Sequence, residues 1–348
     1  MKSIPLIIKI VISIIAVICS FVFVPWLAGC AYLKPLPKTI QEQVTDAINY
    51  DIDGMIVYVD KKGKNPEFYS AGWKNRENRI PADPHALFKI ASISKLYIAA
   101  ATAKLVSTNQ LSLDRTLSDY LPQFAGRIEN SEKITLRMLL QHRSGIPNFI
   151  DDPEFSWENL PAEAEGLLKF LIDRPADFEP NNRYLYSNSN YFLIGTILDK
   201  TLGYSHHKYI ENEILKPLKL LHTYNLLSEV NLNSLTSGYH IGYDGDLKQQ
   251  NYVSPGGSMV ATAQDVGIFL RALNDGSLLN ANEQTIYSSI YAYEHTGLLG
   301  GYSSIARYHK DIDTVVIQFV NTSGGNSWMI SEIIYNRILK ILHNRIDP

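Results

Sequence analysis

The stretch FKIASISKL, residues 88–96, opens a segment that reads as a helix through Leu105. Positions three apart share one face of a helix, so the ammonium group of Lys95 can reach the hydroxyl group of Ser92. A serine hydroxyl is a poor nucleophile at neutral pH until a neighbouring base takes its proton. The unpaired N–H groups at a helix N-terminus also favour the negative charge that builds up during acyl transfer. Ser92 is therefore the candidate nucleophile.

The Ser-x-x-Lys spacing does not identify a catalytic serine by itself. In a chain of ordinary composition it is expected about once or twice by chance. Ser205 and Lys208 repeat the spacing in this chain. A serine that begins a helix is also a common N-cap. The assignment of Ser92 therefore depends on the residues that accompany it.

Length and composition describe a globular protein. The chain has 348 residues, 45% of them hydrophobic and 19% charged, and a net charge of -3. Nucleic acid is excluded as a partner because no cluster of Lys and Arg supplies the basic face that phosphate binding needs. Cys19 and Cys30 both precede the folded body, so the body has no disulfide and no thiolate metal site. The histidines form no HExxH pattern, and we expect neither a metal nor another cofactor.

The N-terminal residues 1–29 are typical of an export signal. Lys2 and Lys9 precede an apolar run from Ile10 to Val24, and small residues follow. The sequence LAGC at residues 27–30 resembles a bacterial lipoprotein processing box, which implies cleavage before Cys30 and attachment of lipid to that cysteine.

An uncleaved membrane helix within residues 4–33 is the alternative for this segment. Both alternatives place the body outside the cytoplasm, anchored to the bacterial cell membrane through a lipid or a helix. Residues 30–38 then form a linker, with the stiff sequence KPLP at residues 34–37.

Strand-like segments at both ends of the body, residues 39–348, enclose a mainly helical region. Strands are predicted at residues 55–60, 67–73, 290–294, 302–310 and 314–320, and helices at residues 39–50, 135–142, 162–172, 189–202, 205–215, 263–273 and 327–343. We therefore predict a mixed α/β fold of the α+β class. Both chain ends form one antiparallel sheet flanked by N- and C-terminal helices, and a helical region at about residues 96–288 is inserted into it. A cleft between the two parts is the expected place for a site.

Tyr186 and Asn188 precede a predicted helix and are candidate companions of Ser92. A tyrosine near a lysine ammonium can have its phenolate form favoured, which would let Tyr186 exchange a proton with Ser92. The amide of Asn188 offers both a donor and an acceptor, which suits it to hold a substrate amide and Lys95 together. Ordinary helix capping by Tyr-Ser-Asn is the alternative reading.

The sequence His295-Thr296-Gly297 follows a predicted strand. A glycine there lets a substrate lie close to the strand, and the imidazole and hydroxyl groups supply hydrogen bonds to a carboxylate or carbonyl. A plain hairpin turn is the alternative, and RSG at residues 143–145 has a similar composition. The assignment of a site depends on the three motifs occurring together and in this order along the chain: SxxK, YxN and HTG.

The set of SxxK, YxN and HTG resembles the penicillin-recognising serine hydrolases, which include class C beta-lactamases, DD-peptidases and related esterases. The resemblance extends from about Met55 to Val320 and includes LLQHRSGIP at residues 139–147, PGGS at residues 255–258 and TAQD at residues 262–265. It implies a beta-lactamase/transpeptidase-like fold.

The resemblance also implies the role of each residue. Ser92 is acylated, Lys95 and Tyr186 manage its proton, and Asn188 positions the acyl amide. The backbone N–H groups of Ser92 and Leu298 form the oxyanion hole. His295, Thr296 and Gly297 bind the substrate.

His295 stands where many family members have lysine, and a histidine is only partly charged near neutrality. This departure favours a cell-envelope hydrolase that is DD-peptidase-like or cleaves amides or esters, acting on a small molecule or on a peptide such as a peptidoglycan peptide. The alternatives are a class C-type beta-lactamase and a catalytically idle penicillin-binding or sensing protein. An unrelated Ser-His-Asp hydrolase is disfavoured because no GxSxG elbow occurs. The sequence leaves the leaving group and the oligomeric state open.

Overall fold

The helices and strands of the chain were assigned from a computed structural model, which describes residues 5–23 and 25–345. The helices are α1 Leu6–Phe23, α2 Trp26–Leu33, α3 Ile40–Ala47, α4 Ser94–Ser107, α5 Leu117–Tyr120, α6 Leu136–Leu140, α7 Asn188–Leu202, α8 His206–Ile210, α9 Ala263–Asp275, α10 Ala281–Ser288 and α11 Ser327–Asn344. The strands are β1 Gly54–Lys61, β2 Glu67–Asn75, β3 Ile80–Pro81, β4 Phe88–Lys89, β5 Thr223–Tyr224, β6 Tyr239–His240, β7 Val260–Ala261, β8 His295–Leu299, β9 Tyr302–His309, β10 Thr314–Val320 and β11 Thr322–Ser323. Short 3₁₀ helices cover Ala91–Ile93, Pro122–Phe124, Phe149–Asp151, Ala164–Phe170 and Leu227–Glu229, and a π-helical turn covers Glu211–Leu215.

Both ends of the body contribute to one antiparallel sheet. Within the described residues its strand order is β3-β2-β1-β10-β9-β8. β1 pairs with β10 from Met55 opposite Val320 to Lys61 opposite Thr314. β8 is the last strand in this order, so one of its edges is open toward the helical part of the molecule.

The central strands are buried on both faces. Ile56 and Tyr58 of β1 pack in the main core with the helical region, whereas Val57 and Val59 face a second core formed with α3 and α11. Adjacent residues in a strand point to opposite faces, so burial on both sides requires a continuous apolar run rather than an alternating one. Helices on both sides of the sheet follow from this pattern.

The helix α4 lies in the middle of the main core. Almost all of its residues from Ser94 to Leu105 are buried, as expected for a helix that is apolar on every side. The ring of Tyr97 stacks on that of Phe269 in α9, with 3.7 Å between ring centroids. The helix is thus fixed on all sides, which makes its N-terminus a rigid place for a functional group.

Several predicted elements are confirmed. α3 begins after Thr39 with the reciprocal capping bonds of Thr39 and Glu42. The predicted strands that begin at residues 55, 67, 302 and 314 and the final helix match β1, β2, β9, β10 and α11 to within three residues.

The strand predicted at residues 290–294 is wrong. The N–H groups of Ile290 and Tyr291 both donate to the carbonyl of Tyr287 at 3.0 Å, which closes the end of α10. The aromatic pattern there reflects packing of Tyr291 and Tyr293 against the core rather than strand pairing. The strand begins at His295 instead, so the third motif lies within β8 and does not follow it.

The N-terminal segment contacts the body through α2. Ala28 and Ala31 are buried against the core that contains α11, while Cys30 is exposed with a free thiol. Among the described residues, none of the helices has both the length and the apolar character required to cross a bilayer. Residues 1–4 with Lys2, and Val24, lie outside the described residues. Lipid attachment at Cys30 and anchoring outside the cytoplasm stay predictions.

Residues 34–37 are held by one buried arginine of α11. Arg337 donates to Gln43 Oε1 at 2.6 Å, to the carbonyl of Lys34 at 2.7 Å and to that of Pro35 at 2.8 Å. The stiff segment predicted from its prolines is therefore fastened to the C-terminal helix.

We expect the substitution Arg337→Met to lower the free energy of unfolding by roughly 2–4 kcal/mol, because it removes three hydrogen bonds and leaves the buried side chain of Gln43 without its donor. Urea denaturation followed by circular dichroism measures this change. Lys340→Met, at an exposed position one turn further along α11, is the matched control and should change the value by less than about 0.5 kcal/mol. Equal effects of the two substitutions would contradict a stabilising role for the hydrogen bonds of Arg337.

Candidate active site

Ser92 lies in the 3₁₀ turn Ala91–Ile93, directly before α4. Ala91 has a φ of 51°, a left-handed conformation that is unfavourable for a residue with a Cβ atom. The hydroxyl of Ser94 donates to the carbonyl of Ala91 at 2.6 Å and holds this turn closed. The sharp turn presents the hydroxyl of Ser92 to the cleft beside β8.

Lys95 is completely buried beside Ser92. Its Nζ donates to Ser92 Oγ at 3.0 Å, to Asn188 Oδ1 at 2.9 Å and to the carbonyl of Gly256 at 2.7 Å. Burial lowers the pKa of Lys95 from 10.5 to about 7. At neutral pH the amine therefore exchanges between a charged form with three acceptors and a neutral form that can take the proton of Ser92.

Tyr186 completes the set around the candidate nucleophile. Its hydroxyl donates to Ser92 Oγ at 2.8 Å. Burial raises the pKa of Tyr186 above its usual value, and the hydrogen bond to Ser92 lowers it only in part. The expectation that the phenolate is favoured in the resting site is therefore wrong, because burial penalises that charge more than the hydrogen bond to Ser92 favours it. Tyr186 is a proton donor here, and Lys95 is the better base.

Asn188 holds Lys95 and is itself held by a residue that the motif analysis missed. Asn148 Oδ1 accepts from the backbone N–H of Asn188 at 2.9 Å and from its Nδ2 at 3.2 Å. The amide orientation that presents Oδ1 to Lys95 is thereby fixed. The second N–H of the Asn188 amide remains for a ligand in the cleft.

His142 supports Tyr186 from behind and was also missed as a site residue. Its buried ring lies 4.5 Å from that of Tyr186, between centroids, and its Nδ1 accepts from the N–H of Ser187 at 3.2 Å. Burial first, and then the charge of Lys95, lower the pKa of His142 to about 3, so the ring is neutral. The sequence signal was the segment LLQHRSGIP, which contains it.

Ser205, which repeats the Ser-x-x-Lys spacing with Lys208, is an N-cap. Its hydroxyl accepts from the N–H of His207 at 3.3 Å at the start of α8, and Lys208 pairs with Glu211. The same spacing therefore has two outcomes in one chain, and only Ser92 has its lysine buried.

β8 brings the third motif to Ser92. A Cβ atom on Gly297 would lie 2.4 Å from the carbonyl oxygen of Ile90 and 3.0 Å from Cβ of Ala91, so only glycine lets β8 approach this turn. Because Leu299 pairs with Tyr302 across a two-residue turn, the alternation of an antiparallel ladder leaves the N–H of Leu298 on the open edge. This is the position that a second oxyanion donor requires, and the Leu298 side chain is 55% exposed.

His295 does not offer a cation to the cleft. Its Nδ1 donates to the carbonyl of Thr296, and its Nε2 accepts from the hydroxyl of Tyr291 at 2.7 Å. Burial and then the charge of Lys95 lower the pKa of His295 to about 4. The ring is neutral with both nitrogens used inside the protein, so Thr296 is the polar side chain of this motif that remains for a ligand.

A cavity of about 650 Å³ opens over Ser92. Its lining contains Ser92, Tyr186, Asn188, His295 and Thr296 together with apolar and aromatic side chains, namely Ile150, Trp157, Tyr243, Leu247, Tyr252, Leu298 and Leu299. None of the described residues in the lining is Lys or Arg, and Glu158 is its carboxylate. The cavity suits an uncharged organic group of moderate size.

Comparison with known proteins identifies the family to which this chain is similar. A family model described as Beta-lactamase matches residues 36–290. The chain is 30% identical over 194 residues to the protein flp of Staphylococcus aureus (strain MRSA252), which covers 54% of this chain and 39% of that protein. It is 28% identical over 207 residues to an N-acetylmuramyl-L-alanine amidase of Bacillus subtilis (strain 168), with 55% and 47% covered. The chain thus spans less than half the length of these two relatives.

Solved structures share the fold at low sequence identity. A D-amino acid amidase from Ochrobactrum anthropi SV3 has a TM-score of 0.77 at 22% identity, over 88% of this chain and 98% of that chain. A penicillin binding protein from Bacillus halodurans has 0.72 at 22%, over 86% and 99%. A class C beta lactamase from Rhodobacter sphaeroides has 0.69 at 22%, over 92% and 99%. The predicted beta-lactamase/transpeptidase-like fold is confirmed.

The low pKa of Lys95 leads to a pH-dependent prediction. If neutral Lys95 is the base, the rate at which a fluorescent phosphonate labels Ser92 should rise with pH through about 7 and then level off, because deprotonation supplies the acceptor. Lys95→Arg, which stays charged, should abolish labelling at every pH. A rate that is constant between about pH 5.5 and 8.5 would contradict the role of Lys95 as base.

Proposed function

The chain belongs to the Beta-lactamase family of serine hydrolases, and from that premise we propose that it cleaves an amide or ester bond through an acyl-enzyme on Ser92. One observation carries the proposal. Ser92 Oγ lies 3.0 Å from Nζ of a buried lysine and 2.8 Å from a tyrosine hydroxyl, so a base and an acid both reach the nucleophile.

The proposed acylation moves two protons. Neutral Lys95 takes the proton of Ser92 as Oγ attacks the substrate carbonyl, and the N–H groups of Ser92 and Leu298 stabilise the oxyanion. The hydroxyl of Tyr186 then protonates the leaving group, which breaks the scissile bond. The phenolate that remains lies beside the newly charged Lys95, where its negative charge is stabilised.

Deacylation returns both protons. The phenolate of Tyr186 accepts a proton from a water molecule as that water attacks the acyl carbonyl. Ser92 Oγ leaves and takes the proton held by Lys95. The cycle consumes one water and regenerates the neutral amine and the phenol, so no cofactor enters the scheme.

The charges around the cavity favour a substrate without a carboxylate next to the scissile bond. Holding such a group would need a cation, yet His295 is neutral and the described lining has no Lys or Arg. We therefore place amides and esters first among substrates. Two similar proteins are named as amidases, which supports the amide bond as the target.

A DD-peptidase-like role is the second candidate. The His295-Thr296-Gly297 motif and the similarity to a penicillin binding protein favour it, and a peptidoglycan peptide would be the substrate in the cell envelope. A beta-lactamase role and an idle binding role are the remaining rivals. All three are distinguished from the first candidate by their response to the compounds below.

We expect a fluorescent serine-directed phosphonate to label the protein at Ser92. Ser92→Ala should lose labelling by more than about 100-fold because the attacking oxygen is absent. Ser205→Ala is the matched control with the same Ser-x-x-Lys spacing and should be labelled like the unmodified protein. Absence of labelling in the unmodified protein would support the idle binding role.

We expect short-chain esters and acyl-D-alanine amides to be turned over faster than a chromogenic cephalosporin, because the cavity supplies no cation for the cephalosporin carboxylate. Steady-state rates on matched pairs that differ only in an amide or a free carboxylate measure this preference, and mass spectrometry detects the acyl-enzyme. Rapid multiple turnover of the cephalosporin would instead identify a beta-lactamase. A clear preference for the free carboxylate would favour the DD-peptidase-like role.

A further inference from the structure

We propose that His240 and Ser323 form a second polar subsite of the cavity, which binds a carbonyl oxygen of an extended, peptide-like substrate on the order of 10 Å from the scissile bond. This inference rests on the proposed function, because it assumes that the substrate of Ser92 occupies the same cavity. His240, Ser323 and Gly324 all line that cavity.

The hydrogen bonds around Ser323 favour one tautomer of His240. Buried Ser323 Oγ accepts from the N–H of Gly301 at 2.7 Å, and it lies 2.8 Å from Nδ1 of His240. Because Oγ already accepts from Gly301, we assign the tautomer in which the hydroxyl of Ser323 donates to Nδ1, which makes Nδ1 the unprotonated nitrogen. The proton of the imidazole is therefore on Nε2, for which no acceptor occurs among the described residues.

The backbone holds the imidazole in place from two sides. β6 and β11 pair in parallel with His240 opposite Ser323, and the N–H of Ile241 donates to the carbonyl of Ser323 at 2.8 Å. Gly324 has a φ of 84°, and a Cβ atom there would lie 2.8 Å from Cε1 and 2.9 Å from Nε2 of His240. The ring of this exposed histidine thus lies directly over a glycine backbone, and its bond to Ser323 orients it.

The position of the subsite follows from the course of β8. Gly297 touches the turn that carries Ser92, whereas Gly301, which bonds Ser323, lies four residues further along. Two strand steps of about 3.3 Å separate Gly297 from Leu299, and the turn at Gly300 and Gly301 follows, so the subsite is on the order of 10 Å from the nucleophile. A substrate that reaches both must be extended along the open edge of β8.

The chemistry of the subsite selects a neutral acceptor. The assigned tautomer offers one N–H donor at Nε2, and the described lining of the cavity adds no Lys or Arg beside it. A backbone carbonyl matches this donor, and a tightly held carboxylate would need a further cation. The ligand group is thus the carbonyl of a peptide-like amide.

The test compares His240→Ala with His240→Gln, whose amide N–H₂ keeps a donor near the position of Nε2. His222→Ala, at an exposed histidine outside the cavity lining, is the control. The substrates are p-nitrophenyl acetate, which is too short to reach the subsite, and two N-acetyl-oligo-D-alanine amides extended on the acyl side or on the leaving-group side. We expect His240→Ala to raise KM about tenfold for one extended amide, with kcat and the rate on the acetate ester changed less than about twofold.

His240→Gln should return KM for that amide most of the way to the value of the unmodified protein, and His222→Ala should leave KM unchanged. The subsite would be overturned if His240→Ala lowered kcat/KM equally for the acetate ester and both amides. It would also be overturned if His240→Ala changed kcat/KM for none of them.

A binding measurement separates this inference from the proposed function. Calorimetry gives the Kd of the extended amide for Ser92→Ala and for the double variant Ser92→Ala, His240→Ala, neither of which needs turnover. A tenfold weaker Kd in the double variant supports the subsite even if the unmodified protein hydrolyses nothing, which would contradict only the proposed function. Equal Kd values overturn the subsite even if the enzyme is active.

Discussion

The buried amine of Lys95 is the group on which the rest of the site depends. An ammonium inside a protein needs several acceptors, and here they come from three distant parts of the chain: Ser92, Asn188 and Gly256. The requirement to satisfy this one amine therefore brings the turn before α4, the start of α7 and the glycine turn before α9 to one point. The same burial brings its pKa to about 7, so the contact that organises the site also makes it reactive.

Beside the groups around Lys95, the site depends on the edge strand of the sheet, β8. β8 can lie against the turn of Ser92 only because Gly297 has no side chain, and it can carry an outward N–H at Leu298 only because it is the last strand of the sheet. The helical region supplies the acid and base chemistry, and the sheet supplies the surface along which a substrate lies. Neither part contains a complete site.

Sequence patterns predicted the site better than they predicted its electrostatics. The three motifs were found because each has fixed spacing, and local signals such as the capping box of Thr39 gave the confirmed elements around them. The neutral state of Tyr186 and His295 could not be read in this way, because it depends on burial and on partners such as Tyr291 that lie in space rather than in a motif. The false strand at residues 290–294 has a related cause, since aromatic residues there pack beneath the site in a turn. Asn148 and His142 act through other residues. Asn148 has no motif of its own, and His142 lies in the segment LLQHRSGIP, which does not mark it as a site residue.

The pairing of β1 with β10 has a consequence for folding during synthesis on the ribosome. Asn321 bonds the carbonyl of Trp73 across 248 residues of sequence, so β1 cannot pair with β10 until those intervening residues have been translated. Ser92 and Lys95 are translated well before the strand that faces them, β8 at His295–Leu299. A nascent chain therefore carries the candidate nucleophile before the proposed oxyanion donor of β8 has been made, and the candidate site can be assembled only after β8 has emerged.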